Sequence, residues 1–211
     1  MSSRFESLTG TIDPAFPEYD MPPAEPMDLA RQWIAGAVEA GVREPLALAL
    51  ATADRGGRAS TRMVAVIDVG DRGLVFTSHS TSRKGREIAQ TGWASGLLYW
   101  RETARQLSFS GPVAMLPEPE AERLWNARPV PLHAMSVASR QSEPLEDVAR
   151  LRSEAERLAS YGTSLPRPAR FAGYRLEPAA VEFWSADADR LHRRLRYDRT
   201  PSGWHISRLQ P

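Results

Sequence analysis

The sequence contains no cysteine, and only one of its 27 basic residues, Lys84, is a lysine. The missing thiols exclude disulfides, thiolate catalysis, zinc–cysteine sites and iron–sulfur clusters. No apolar run approaches the roughly 18 residues of a transmembrane helix. The opening segment MSSRFESLTG lacks the basic-then-apolar order of a secretory signal. Neither sign of charge dominates, since 27 basic against 26 acidic residues leave +1. That balance gives no reason to expect nucleic acid or an anionic membrane surface as a partner. GxGxxG, P-loop and nucleophile-elbow motifs are also missing, which disfavours dinucleotide, nucleoside-triphosphate and serine-hydrolase chemistry. His79, His133, His192 and His205 lack metal-ligand spacing, so no metal site is expected. A cytoplasmic location fits this set of absences.

What is present is ordinary globular composition, 42% apolar and 25% charged over 211 residues, enough for one main domain. Residues 1–26 hold five prolines and little periodicity, and read as a flexible or extended arm. The domain is expected over 27–211. It opens with a helical pattern from Met27 to Val42. Strand patterns follow at 46–53, 59–69 and 74–78, punctuated by Asp54-Arg55-Gly56-Gly57 and Gly70-Asp71-Arg72-Gly73. Ser82 is placed to cap a helix running to Gln90. Residues 93–100 and 106–115 read as a hairpin, 118–127 and 144–161 as helices, and 171–176, 181–185, 191–197 and 204–208 as strands. Many short strands with a few helices predict a mainly β fold, a closed antiparallel barrel with peripheral helices.

Four groups of residues carry chemistry. Ser82-Arg83-Lys84-Gly85-Arg86 opens a helix, where free N–H groups and adjacent cations favour an anion such as phosphate. Taken alone, the segment reads more readily as a solvated basic helix start. Arg62 leads an apolar strand, either turned toward a phosphate or at the strand edge. Gln106 and Gln141-Ser142 both donate and accept, as a heterocycle with N–H and C=O edges requires. Alternation on a strand would put Arg190, His192 and Arg194 on one face, where two cations and an imidazole need solvent or a polar, anionic ligand.

The pieces TRMVAVI, LVFTSHSTSRKGREI, ARQLSFSG, ARPVPLHAMSVASRQS, PAAVEFWSADADRLHRRLRYDR and WHISRLQP occur in order over residues 27–211. Together they resemble the pyridoxamine 5′-phosphate oxidase family of flavin enzymes. The resemblance implies an FMN-binding split β-barrel that forms a homodimer, with FMN in clefts at the interface. It implies that Arg62, Arg83, Lys84 and Ser142 hold the FMN phosphate. Met63, Val64, Ala65 and Val66, with Thr77 and Ser78, would line the flavin. Gln106 and Gln141 would meet its polar atoms, and Trp184 and Arg194 would complete the site. Arg190 and His192 would be catalytic residues facing the substrate.

The departures concern the substrate. Where the family's vitamin-forming members grip a substrate phosphate, this chain keeps Arg128 but has Ile67, Leu124 and Leu132 in place of lysine, tyrosine and serine. A further family aspartate is replaced by Arg193. Three aliphatic walls suit a flat, mostly apolar acid better than a phosphate dianion. The resemblance is strongest to the phenazine-biosynthesis branch of the family. It implies a small aromatic or reduced tricyclic carboxylic acid as substrate, with O2 as acceptor and hydrogen peroxide as product. A pyridoxine-phosphate oxidase with an altered pocket and a non-catalytic flavin-binding module remain the alternatives.

Overall fold

The computed structural model describes residues 14–211. The first half of the expected arm, residues 1–13, lies outside the described residues. Nine strands form the framework: β1 (Ala47–Ala53), β2 (Ala59–Gly70), β3 (Gly73–His79), β4 (Trp93–Trp100), β5 (Arg105–Met115), β6 (Phe171–Leu176), β7 (Ala180–Ser185), β8 (Arg193–Thr200) and β9 (Gly203–Leu209). Every pairing is antiparallel. The order β4-β1-β2-β3-β6-β5 closes on itself through a β4–β5 pairing, giving a six-strand barrel, while β7-β8-β9 continue outward from β5. The sheet divides on β5. Its first part, Arg105 to Ser110, pairs with β7, and its last part, Val113 to Met115, pairs with β6.

Alternation decides which side chains fill the barrel. Leu48, Leu50, Leu98, Leu107 and Phe109 point inward and are fully buried, and Phe183 and Leu195, in register with Leu107, are fully buried on the same side of the continuing sheet. Each such side chain contributes about 1.5–3 kcal/mol by leaving water. The outward faces of β1, β2, β4 and β5 carry Ala47, Ala49, Met63, Ala65, Leu97 and Gln106 in matching register. The helix α1 (Pro26–Glu39) begins on its proline and covers the extended sheet, with Trp33 edge-on to Phe183 at 5.1 Å. The expected helix to Val42 stops earlier, at Glu39.

Residues 14–25 of the expected arm are anchored. Phe16 is buried against Trp33, Arg193 donates to the Pro14 carbonyl at 3.1 Å, and the Tyr197 hydroxyl donates to the Pro23 carbonyl at 3.0 Å.

Four further helices are α2 (Arg83–Thr91), α3 (Glu118–Ala127), α4 (His133–Ala138) and α5 (Val148–Ala159). α4 is too short to leave a periodic signature. The helix expected over 144–161 is shorter, because Asp147 accepts from the Arg150 N–H at 2.8 Å and caps α5 there. A second, smaller core of Trp125, Ala134, Leu158, Leu165 and Phe171 joins α3, α4 and α5 to the barrel.

Candidate functional site

The residues singled out in the sequence fall into three places on this framework. The first is the N-terminus of α2, at one end of the barrel. Ser82 caps the helix by accepting from the Gly85 N–H at 3.3 Å. A Cβ on Gly85 would lie 2.4 Å from the Ser80 carbonyl oxygen and 2.6 Å from that of His79. Only glycine therefore lets the helix start sit against the end of β3. Lys84 reaches back to donate to the Ser78 hydroxyl at 3.0 Å and to the Gln141 side-chain carbonyl at 3.4 Å. The Arg83 N–H donates to the Ser142 hydroxyl at 3.1 Å. Ser142 itself stands at φ 71°, a left-handed conformation unusual for a residue with a Cβ. Arg62, Ser78, Arg83, Lys84, Gln141 and Ser142 are thus brought together from β2, β3, α2 and the loop after α4.

Arg62 shares the inward parity of Leu50, its cross-strand partner. An arginine at the inner end of a barrel needs a counter-charge, and Glu87 supplies it. The Glu87 carboxylate accepts from the Ser60 hydroxyl at 2.6 Å, from the Thr52 hydroxyl, from Arg83 Nε at 2.8 Å and from Arg62 at 3.4 Å. Burial alone would raise the Glu87 pKa, but those hydrogen bonds and the Arg83 charge hold it down at about 2. Glu87 was not among the expected site residues. The available signal was its position four residues after Arg83 on a helix. Burial, and then the neighbouring Arg62 charge, lower the pKa of Lys84. Three cations against one carboxylate leave two positive charges around a helix N-terminus. That donor set fits a phosphate dianion.

His79 is a second residue that the sequence reading passed over as a site component. It is 1% exposed, and its Nδ1 accepts from the Gln141 N–H at 3.5 Å. Burial first, then the charges of Arg170 and Lys84, push its pKa down to about 4.

The second place is the outer face of the extended sheet. Gln106 on β5, Trp184 on β7 and Arg194 on β8 stand opposite one another in register. With Leu97, Ser108 and Glu182 they line a cavity of about 250 Å³. Arg194 is oriented by Glu182, to which its Nε donates at 2.8 Å. His192 lies beside this cavity, and neither it nor Arg190 is on a strand as expected. β8 begins at Arg193, and Arg190 stands in a turn at φ 70°, its N–H donating to the Asp187 carbonyl at 3.0 Å. The face-sharing of positions 190, 192 and 194 is therefore corrected. Loop geometry places His192, whose ring is 4.8 Å from that of Trp184. The Asp187 N–H donates to His192 Nδ1 at 3.2 Å, which leaves Nε2 as the proton-bearing nitrogen of the neutral ring.

The third place is a cavity of about 590 Å³ between α3 and the barrel wall. Ile67, Leu124, Arg128 and Leu132 all line it, together with Ala65 and Thr77, and its rim also carries Asp68, Glu120, Arg123 and Arg175. Leu124 packs closely on β6, where a Cβ on Gly173 would lie 2.7 Å from it. The Nε of Arg128 is buried and has no hydrogen-bond partner among the described residues. Burial alone lowers its pKa.

Of the segment expected to line a flavin, only Met63 and Ala65 point outward. Val66 is 2% exposed and points into the core with Phe76, and Val64 packs on that core as well. The correction follows from strand alternation, so Val64 and Val66 can offer only backbone groups to a ligand. β1 and β4 separate Arg62 on β2 from Gln106 on β5. Three strand spacings, roughly 14 Å along the barrel wall, lie between their strands. One chain therefore presents them as two separate groups.

Residues 34–185 match the pyridoxamine 5′-phosphate oxidase family, and residues 171–211 match the pyridoxine 5′-phosphate oxidase C-terminal dimerisation region. The dihydrophenazinedicarboxylate synthase of Burkholderia lata is 58% identical over 210 residues, covering 100% of this chain and 99% of its own. The enzyme of the same name from Pseudomonas chlororaphis is 48% identical, covering 98% of this chain and 93% of its own. The crystal structure of PhzG from Burkholderia lata 383 in complex with tetrahydrophenazine-1-carboxylic acid matches with a TM-score of 0.94 at 56% identity. That match covers 96% of this chain and all (100%) of the other.

Proposed function

The chain belongs to the pyridoxamine 5′-phosphate oxidase family, and from that membership we propose that it is an FMN-dependent oxidase of phenazine biosynthesis. Its substrates are reduced phenazine carboxylic acids, its acceptor is O2, and its product besides the more aromatic phenazine is hydrogen peroxide. The observation that carries this reading is the cavity beneath α3. Its walls at Ile67, Leu124 and Leu132 are aliphatic, and of its arginines Arg175 pairs with Glu120 at 3.6 Å, whereas the buried Nε of Arg128 has no hydrogen-bond partner among the described residues. A phosphate dianion would meet aliphatic walls at Ile67, Leu124 and Leu132, whereas a flat apolar acid finds apolar walls and Arg128 as a carboxylate partner. The relatives named above carry phenazine names, which agrees with the chemistry of this cavity.

Arg62, Arg83, Lys84, Ser78, Gln141 and Ser142 would hold the FMN phosphate. Gln106, Trp184 and Arg194 of a second copy would complete the site in a homodimer. Bound FMN supplies the hydride acceptor and the route to O2. The protein's part is orientation and proton handling. Arg128 pairs with the substrate carboxylate, while Ile67, Leu124 and Leu132 exclude water from the ring system. His192, held at Nδ1 by the Asp187 N–H, presents Nε2–H as a donor toward a substrate nitrogen or carboxylate. Arg190, on the same loop, adds positive charge over the substrate.

The test compares peroxide production by the FMN-loaded protein with a tetrahydrophenazine carboxylate and with pyridoxine 5′-phosphate. Faster turnover of the phenazine is expected. Faster turnover of pyridoxine 5′-phosphate would replace this reading with the vitamin-pathway oxidase.

A further inference from the structure

We propose that His133 is a positioning residue for substrate recognition, fixing the backbone of Arg128 so that the guanidinium stands ready in the cavity beneath α3. The proposal rests on the reading of that cavity as the substrate site. His133 is 1% exposed and stacks on Trp125 with ring centres 4.1 Å apart. Both of its nitrogens are engaged. The Leu165 N–H donates to Nδ1 at 3.2 Å, so Nε2 carries the proton and donates it to the Arg128 carbonyl at 3.1 Å. The circuit is closed by Trp125, whose Nε1–H donates to the Leu165 carbonyl at 2.6 Å.

Arg128 is thereby held at both backbone groups. Its N–H donates to the Trp125 carbonyl at 3.1 Å, and its carbonyl accepts from His133. Pro129 follows and restricts Arg128 to extended backbone, which it adopts at φ −72°, ψ 137°. The side chain has no comparable restraint, because Nε is buried without a partner. The direction of the guanidinium is therefore inherited from the backbone, and the backbone from the Trp125–His133–Leu165 circuit. Of the three, His133 alone touches Arg128 through a side-chain hydrogen bond. His133→Phe keeps a ring on Trp125 but removes both hydrogen bonds. His133→Gln keeps one donor and one acceptor at similar reach.

Titrate the FMN-loaded protein with phenazine-1-carboxylate, which is already aromatic and does not turn over, and with unsubstituted phenazine as the neutral control. Arg128→Met is expected to weaken the carboxylate by more than tenfold, and His133→Phe by roughly five- to tenfold, as for one lost hydrogen bond. His133→Gln should stay within about twofold of the native protein. Binding of unsubstituted phenazine should not change. In turnover of the reduced carboxylate, His133→Phe should raise KM with little loss of kcat. The deciding measurement is the double variant. In the Arg128→Met background, His133→Phe should have no further effect on carboxylate binding. An undiminished effect there, or an equal loss for unsubstituted phenazine, overturns the positioning role. Normal carboxylate binding by Arg128→Met instead overturns the reading of the cavity. Should His133→Phe not accumulate in folded form, His133→Asn, too short to reach both partners, enters the same cycle.

Discussion

Glu87 sets the charge of the anion cradle, although it is the residue there that could not itself bind an anion. Without it, Arg62 would stand unpaired at the inner end of the barrel. With it, the cluster keeps two positive charges and rigid arginine forks. Lys84 is the cation directed to the mouth, and the chain's only lysine stands where a compact ammonium reaches both Ser78 and Gln141. Lys84→Ala is therefore expected to weaken FMN binding roughly 30- to 150-fold and to leave riboflavin binding unchanged. Titration of apoprotein with both flavins separates the phosphate contact from a general defect. The same residues govern acid stability. His79 takes up its proton near pH 6.5 when unfolded and near 4 when folded, so stability should fall as the pH drops between those values. Glu87 extends the loss from pH 4.5 down to about 2, where its folded carboxylate finally protonates. Melting temperature measured against pH should show both arms. His79→Gln should flatten the upper one, and an unchanged slope would remove His79 from this account.

At the scale of elements, helix α2 and the wall formed by α3 do the positioning. α2 delivers its N-terminus to the cradle only because Gly85 lets it touch the β3 end. Gly85→Ala should cost about 1–3 kcal/mol of stability, read by urea unfolding, and should weaken FMN binding by displacing the helix start. α3 and the segment after it carry Leu124, Arg128 and Leu132 of the proposed substrate cavity. Restoring polar groups with Ile67→Lys, Leu124→Tyr and Leu132→Ser should raise turnover of pyridoxine 5′-phosphate and lower that of a reduced phenazine carboxylate. The donors that satisfy a phosphate become buried and unpaired against a tricycle, at roughly 1–3 kcal/mol each. Peroxide production with both compounds measures the swing. A triple variant that keeps the native preference would show that these walls do not choose the substrate.

At the scale of the whole molecule, the decisive feature is the distance between half-sites on one barrel. The anion cradle lies at the α2 end, Gln106 lies across two intervening strands, and Trp184 and Arg194 lie on the next two strands beyond it. In the proposed flavin site the two come from different copies, and residues 171–211, which match a dimerisation region, include Trp184 and Arg194. Sedimentation should therefore show a dimer rather than a flavin-loaded monomer of 23.4 kDa. Complementation makes the sharper prediction. Lys84→Ala and Trp184→Ala proteins, each impaired alone, should regain about a quarter of native site activity after unfolding and remixing, since half the dimers are mixed and each mixed dimer carries one intact site. No recovery on remixing would place a complete site within one chain.

The sequence by itself determined the barrel, because strand alternation and turn residues are local signals. The strands at 46–53, 59–69 and 74–78 lie within a residue of β1, β2 and β3. It also singled out Arg62 and Lys84, which the fold brings to one helix start, and Ile67, Leu124 and Arg128, which it brings to one cavity. Tertiary structure decided what depends on partners distant in the chain. Glu87 reads as one more exposed helix acid until Ser60 and Thr52 are brought to it from β2 and β1. His133 reads as an isolated histidine until Trp125 and Leu165 close around it. Val66 reads as a ligand contact until the barrel's curvature assigns its side of the strand to the core. His192 reads as a strand residue until the Asp187 N–H holds it in a loop. In each case the deciding interaction joins elements whose spacing no local pattern encodes. A buried charge or hydrogen bond takes its meaning from the group that satisfies it.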